Sequence, residues 1–99
     1  MEYKVRLKAR AKRFFLDQPK KHQRFLIREL EGLKRNPKPD NSRELDSENQ
    51  IYKLKGKRFS ILYQLRKNKL LVLVVYIGNR WETARFYKEL IKRIKKRLS

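Results

Sequence analysis

One run of eight apolar residues, 70–77, constrains the fold of this chain more than any other segment. It is apolar on both faces, which is typical of a strand in the middle of a sheet. Before it, residues 50–55 and 59–66 alternate in the manner of half-buried strands. Gly56-Lys57 separates these two strands, and Gly56 is expected to supply the positive φ of a tight turn. Lys67-Asn68-Lys69 turns the chain again, so the pattern predicts a three-stranded antiparallel meander.

The segment before the meander predicts one strand and two helices. Residues 3–7 alternate apolar and basic side chains, which indicates a short strand. A helical segment follows with Ala11, Phe14 and Phe15 on one side, and Pro19 can open a second helix from its first turn. The apolar stripe of that helix, at spacings of four, four and three, is His22, Leu26, Leu30 and Leu33.

Two further segments complete the expected fold. Residues 36–49 are polar and contain two prolines, so we expect a loop with one short turn around Arg43 to Leu45. A last helix is expected from about Glu82 to Leu98, with a basic outer face. Its apolar stripe, which we expect to pack on the sheet, is Phe86, Tyr87, Leu90, Ile91, Ile94 and Leu98.

The predicted order is therefore β-α-α-β-β-β-α, a single α+β domain over residues 1–99. Its small antiparallel sheet consists of the N-terminal strand plus the three-stranded meander. Two N-terminal helices and a C-terminal helix complete it.

The charge balance indicates a polyanionic or acidic partner. Lysine and arginine number 29 against 10 aspartate and glutamate, a formal charge of +19. Such self-repulsion destabilises a compact chain, and nucleic acid or an acidic protein would relieve it. The chain has no cysteine, and its longest apolar run is far below the roughly 20 residues of a membrane span. We expect a cytoplasmic protein with no membrane partner.

Several kinds of catalytic site are disfavoured by the residues the chain lacks. His22 is the only histidine and lies on an apolar helix stripe, where a packing role is expected. The acidic residues show no metal-ligand spacing, and three glycines provide no phosphate-binding loop. A metal-dependent nuclease, a kinase and a triad hydrolase are disfavoured, and neither a metal nor a cofactor is expected.

A set of cations on the predicted sheet remains. Lys53 and Lys55 are two residues apart on one strand, so they project from the same face. Arg58 lies at the following turn, Arg80 follows the last strand, and Tyr87 lies about two turns into the last helix. The meander can bring these groups to one concave surface. The alternative is a solvated lysine edge, which blunts sheet edges in many proteins.

Four motifs together resemble the RelE toxins of toxin–antitoxin systems. They are Ile51-Tyr52-Lys53-Leu54-Lys55, Ile61-Leu62-Tyr63-Gln64-Leu65, the run 72–75, and Ile77-Gly78-Asn79-Arg80 before a helix. The resemblance covers residues 50–99 best, and the related ParE toxins, which inhibit DNA gyrase, share the motifs.

The resemblance implies a metal-free ribonuclease that cuts mRNA in the ribosomal A site, with an acidic antitoxin as a further partner. Its catalytic residues map onto Lys53, Lys55, Arg80 and Tyr87, with Phe86 as the other register for the tyrosine. The family arginine early in the second meander strand is here Ser60, for which Arg58 is the expected substitute.

Such a site matches the chemistry of RNA cleavage by its own 2′-hydroxyl. Clustered cations lower the pKa of a lysine, so Lys53 or Lys55 can act as the base, and Arg80 and Arg58 can stabilise developing negative charge. Tyr87 is expected to stack on a base or to position the phosphate. Two alternatives stay open: a ParE-like toxin that inhibits gyrase, and a non-catalytic basic module that binds RNA or the ribosome.

Overall fold

The elements follow the predicted order, with one strand added. The structure is a computed structural model that describes residues 2–97 with their side chains and Leu98 by its backbone alone. The predicted stripe member Leu98 therefore lies outside the described side chains. The elements are β1 Lys4–Leu7, α1 Ala9–Asp17, α2 Lys20–Arg35, β2 Ser42–Asp46, β3 Ile51–Lys55, β4 Ser60–Arg66, β5 Leu71–Gly78 and α3 Arg80–Leu98. A single 3₁₀ turn, Lys67–Lys69, joins β4 to β5.

The sheet has five strands in the order β1-β5-β4-β3-β2, and the predicted meander β3-β4-β5 forms its centre. The α+β class is confirmed, and β5 is an interior strand, as its apolar faces require. The expectation of a wholly antiparallel sheet is wrong, because β1 pairs with β5 in parallel, with Val5 opposite Val72. No hairpin links these two strands. The chain between them passes through α1, α2 and the strands β2, β3 and β4.

The prediction of a loop over residues 36–49 is also wrong, since β2 is a strand paired antiparallel with β3. Arg43 lies opposite Lys53 and Glu44 opposite Tyr52, whose hydroxyl donates a 2.9 Å hydrogen bond to the Glu44 carboxylate. An edge strand pairs on one side only, and charged residues there discourage pairing with another chain. The polar sequence of β2 reflects that edge position.

Helices α1 and α2 cover one face of the sheet and form the main core with it. Their buried residues Ala11, Leu26, Leu30 and Leu33 pack with Tyr52, Leu54, Ile61, Tyr63, Leu65, Val72, Val74 and Ile77. The Tyr63 hydroxyl donates a 2.7 Å hydrogen bond to the Pro37 carbonyl. Burial raises the pKa of Tyr63 to about 12. His22 packs edge-on against Phe59, in agreement with its expected packing role.

Helix α3 packs on the opposite face. Leu62 is the cross-strand partner of both Lys53 and Tyr76, so these side chains point away from the core of α1 and α2. The Phe86 ring stacks on Tyr76 with centroids 4.4 Å apart. This contact agrees with the predicted packing of the α3 stripe on the sheet. The part of this face that belongs to β3 carries Lys53 and Lys55.

Helix α3 begins two residues before its predicted start because a capping box closes its first turn. The Glu82 backbone N–H donates to the Asn79 side-chain oxygen at 2.8 Å, and the Asn79 N–H donates to the Glu82 carboxylate at 2.9 Å. Arg80 is therefore the first residue of a rigid helix. Over the described residues, no helix has the length and apolar character needed to span a membrane.

The turn between β3 and β4 does not use the positive φ that was predicted for Gly56. It spans Gly56 to Phe59 and is closed by a 3.0 Å hydrogen bond from the Gly56 N–H to the Phe59 carbonyl. Glycine is required there for space, because a Cβ would meet the Glu29 carboxylate and approach the Phe59 oxygen at 2.7 Å. That half-buried carboxylate has its pKa raised by burial, against a hydrogen bond from the Lys57 backbone that lowers it.

Candidate functional site

An open cationic pocket lies where β2, β3 and the start of α3 meet. Its volume is about 390 Å³. Four of its residues are basic, and we call these four the cationic cluster: Arg43, Lys53, Lys55 and Arg80. Asp40, Asn41 and Ser42 form the rest of its lining. Three of the predicted site residues, Lys53, Lys55 and Arg80, therefore lie together.

Sheet register and helix capping position the cluster. Lys53 and Lys55 project from one face of β3 because they are two residues apart on a strand. Arg43 lies directly opposite Lys53 on β2, so its side chain projects from the same face. Arg80 comes from α3, whose start is held by the capping box beyond the end of β5. The cluster thus combines three separate elements of the chain.

The cluster perturbs the protonation of its most enclosed member. The pKa of Lys53 lies below its ordinary value, chiefly because partial burial disfavours the charged amine. The positive charges of Arg43, Arg80 and Lys55 lower it further. The ion pairs Glu31–Lys34 and Glu89–Lys92 join helix residues outside the pocket. Of the lining side chains, only that of Asp40 is acidic, so the pocket has a large excess of positive charge.

Arg58 and Tyr87 lie outside this pocket lining. Arg58 is exposed in the turn before β4 begins, so strand alternation does not determine where its side chain points. The Tyr87 hydroxyl donates a 3.0 Å hydrogen bond to the backbone carbonyl of Leu45 at the β2 bulge. Burial, followed by the charge of Asp46, raises the pKa of Tyr87. Tyr87 thus ties α3 to the strand that carries Arg43.

Phe86, the other register considered for the tyrosine, has a different environment. Its ring stacks on Tyr76, and the Arg10 guanidinium lies 5.6 Å from its centroid. Phe86 has no hydroxyl and cannot make the hydrogen bond to β2 that Tyr87 makes.

Ser60 occupies a tight position next to the cluster. It is 5% exposed and lies opposite Lys55 on one side and Gly78 on the other. Ser60 and Lys55 therefore share the face of the sheet on which the cluster lies. Its neighbour Gly78 on β5 has no side chain on this face.

The local sequence does not identify Arg43 as a site residue, because the polar residues 36–49, with two prolines, predict a loop. The available signal was weak: residues 42–46 contain neither glycine nor proline and lie between two clusters of turn-forming residues. Only the pairing of β2 with β3 brings Arg43 next to Lys53. Within residues 2–98, no group of three or more acidic or histidine side chains has a metal-binding arrangement.

Comparison with solved structures identifies the fold. A free-state mutant of the E. coli toxin RelE superposes with a TM-score of 0.75 at 25% identity, covering 95% of this chain and 99% of that one. The chain has the RelE toxin fold. The RelE–RelB complex of Pyrococcus horikoshii OT3 gives a TM-score of 0.72 at 16% identity, covering 81% and 97%. The RelBE2 toxin–antitoxin complex of Mycobacterium tuberculosis gives 0.70 at 18%, covering 81% and 100%.

The resemblance to RelE inferred from the motifs is therefore confirmed. No family model matches the sequence, and no curated protein matches it. The similarity to RelE is therefore seen in the three-dimensional structure and in a few strand motifs.

Proposed function

We propose that this protein is the toxin of a toxin–antitoxin system and acts as a metal-free endoribonuclease on mRNA in the ribosomal A site. The observation that carries the proposal is the cationic cluster, in which Lys53 has a lowered pKa and three further cations surround it. The RelE fold supports this assignment, since it is the fold of known toxins from bacteria and an archaeon.

The proposed reaction uses the RNA itself as nucleophile. The amine of Lys53 accepts the proton of a 2′-hydroxyl, whose oxygen then forms a bond to the adjacent phosphorus. The bond from phosphorus to the 5′-oxygen breaks, leaving a 2′,3′-cyclic phosphate and a 5′-hydroxyl, which takes its proton from Lys55. A lowered pKa favours the neutral amine that the base needs. Arg80 and Arg43 stabilise the negative charge of the phosphorane between these steps.

Dependence on the ribosome follows from the shape of the site. The pocket is an open depression of about 390 Å³ on the sheet and does not enclose a flexible strand. In-line placement of the 2′-oxygen and the phosphate contributes several kcal/mol to such reactions, on the order of 7 or more in favourable cases. The ribosome holds mRNA in a defined path and supplies that placement. The protein supplies the charged groups.

The proposed antitoxin is an acidic protein that folds as it binds. Three of the structural neighbours are complexes of a RelE protein with its RelB partner, and a formal charge of +19 favours an acidic partner for this chain. A disordered segment that wraps a large surface can cover the cluster and offset its charge.

A cleavage assay tests the function directly. One mRNA is incubated with the protein, with and without translating ribosomes, at low and at physiological salt. We expect rapid cutting on ribosomes, slow cutting of free mRNA, and loss of cutting in Lys53→Ala and Arg80→Ala. Lys88→Gln, which removes an exposed charge from α3, is the matched control and is expected to stay active.

Two results would contradict the proposal. Equal cutting of free and ribosomal mRNA would indicate a free-standing ribonuclease. An absence of cutting under all conditions, together with gyrase-dependent DNA breaks in cells, would indicate a ParE-like gyrase inhibitor.

A further inference from the structure

Trp81 is unusually exposed for a large aromatic residue. It is the only tryptophan of the chain, and 74% of its surface is accessible to solvent. The other exposed large apolar side chains of the described residues, Leu16 and Ile27, belong to α1 and α2. The neighbours Arg80, Glu82 and Ala84 are exposed as well, so the indole is an isolated ring and not part of an apolar patch.

The ring lies beside the cationic cluster. Trp81 is the second residue of α3, directly after Arg80, and the Arg80 guanidinium carbon lies 6.0 Å from the centroid of its ring. Arg80 also lines the cationic pocket. The Arg80 side chain therefore lines the pocket and also lies close to the indole ring. The capping box fixes the first turn of α3, so the backbone that carries the ring is held rigidly.

We propose that Trp81 stacks on an unpaired RNA base next to the phosphate that occupies the cationic cluster. Proteins that bind single strands combine cations that hold the backbone with exposed aromatic rings on which bases stack. Phosphate contacts position the strand, and contacts to the bases provide preference. This inference rests on the proposed function and adds to it a residue that contacts the substrate.

A protein surface is the less favoured occupant of the ring. Aromatic residues that dominate protein interfaces are surrounded by other contacts that exclude water. The charged and small neighbours of Trp81 provide no ring of contacts that would exclude water from the indole. An RNA base needs only the flat face of the indole and a nearby cation, and both are present.

The single tryptophan makes the test direct, because fluorescence excited at the red edge of tryptophan absorption, where the five tyrosines of the chain barely absorb, reports on Trp81 alone. The full chain is titrated with a single-stranded RNA oligomer and with a ribose-phosphate oligomer of equal length that lacks bases. We expect the RNA to quench the fluorescence and the abasic oligomer to bind with little quenching. Both titrations are repeated with a labelled oligomer, whose anisotropy measures binding independently of the tryptophan.

Variants separate stacking from charge. Trp81→Ala is expected to bind the RNA about tenfold more weakly, within the range measured for base–aromatic stacking, and to bind the abasic oligomer unchanged. Trp81→Phe keeps a ring and is expected to retain most of the affinity for RNA. Leu16→Ala removes an exposed apolar side chain from α1 and is the matched control, with no change in either titration.

The proposal is overturned if the RNA binds without quenching, or if Trp81→Ala binds the RNA as tightly as the parent protein. Failure of the RNA to bind at all also overturns it, as does quenching by an acidic peptide and not by RNA. The ribosomal cleavage assay is independent of these measurements. Quenching by RNA without any cleavage would refute the nuclease function and leave the stacking role of Trp81 intact.

Discussion

Replacing Lys53 with glutamine is expected to stabilise the protein while removing its proposed base. Lys53 is half-buried and faces Arg43, Arg80 and Lys55, and its pKa is lowered first by burial and then by those three charges. A lowered lysine pKa means that folding disfavours its charged form. Glutamine keeps a polar side chain of similar reach and removes the charge, so the repulsion disappears.

The size of the effect follows from the geometry of neighbouring strands. Arg43 lies opposite Lys53 and Lys55 lies two residues along the same strand, where β-carbons are about 5 to 8 Å apart, and Arg80 lines the same pocket from α3. Two unit charges roughly 7 Å apart in water-like surroundings repel by about 0.6 kcal/mol. Three such neighbours sum to about 1.8 kcal/mol at low salt, and screening over about 8 Å at physiological salt more than halves this. For a domain of this size, the low-salt gain raises the Tm by roughly 7 to 14 °C.

The sign of the pH dependence is a second check. With its pKa lowered in the folded state, Lys53 binds fewer protons when folded than when unfolded, between that lowered pKa and its ordinary value of 10.5. The parent protein therefore gains stability as the pH rises through this window. Lys53→Gln lacks the group and does not gain. The stability advantage of the variant is expected to be largest near neutral pH and to shrink towards pH 10.5.

Thermal melting at two salt concentrations and at neutral and alkaline pH measures the gain in stability, its dependence on salt and its dependence on pH. Lys88→Gln serves as the control, since it removes an exposed α3 charge outside the cluster and is expected to change the Tm little. The reasoning would be refuted if Lys53→Gln were less stable than the parent at low salt and neutral pH. A gain that did not depend on salt or pH would also refute it.

Three other substitutions test separate parts of the structure. Tyr87→Phe deletes the hydrogen bond to the Leu45 carbonyl and is expected to lower the free energy of unfolding by about 1 kcal/mol, measured by urea denaturation; an unchanged midpoint would contradict the contact. Ser60→Arg restores the family arginine beside the cluster and is expected to raise the rate of ribosomal mRNA cleavage, and a slower rate in a folded variant would show that the position is too tight. Gly56→Ala brings a Cβ to 2.7 Å from the Phe59 carbonyl and is expected to cost about 1–3 kcal/mol, so an unaltered Tm would disprove the close contact.

Much of the fold could be read from local periodicity. The alternation in β3 and β4, the apolar run of β5, and the stripes of α2 and α3 are properties of neighbouring residues. Strand and helix periods place such residues on one face whatever the rest of the chain does. The shared face of Lys53 and Lys55 was predictable for the same reason.

The edge strand β2 was not predictable in this way. Its residues are polar because the strand lies at the sheet edge, and a polar segment between prolines is locally typical of a loop. The hydrogen bond from Tyr52 to Glu44 and the pairing of Arg43 with Lys53 both depend on β3, which lies later in the chain. Arg43 is therefore a residue of the site only because of the tertiary structure.

By itself, the sequence determined the charge of the protein, its helices, its central strands and the lysine pair of β3. Tertiary structure alone decided that Arg43 and Arg80 meet that pair, that β1 runs parallel to β5, and that Trp81 stands exposed beside the pocket. The physical reason is the range of the interactions. Helix and strand periods are set within a few residues, whereas convergence of three elements depends on strand register and helix packing summed over the whole chain.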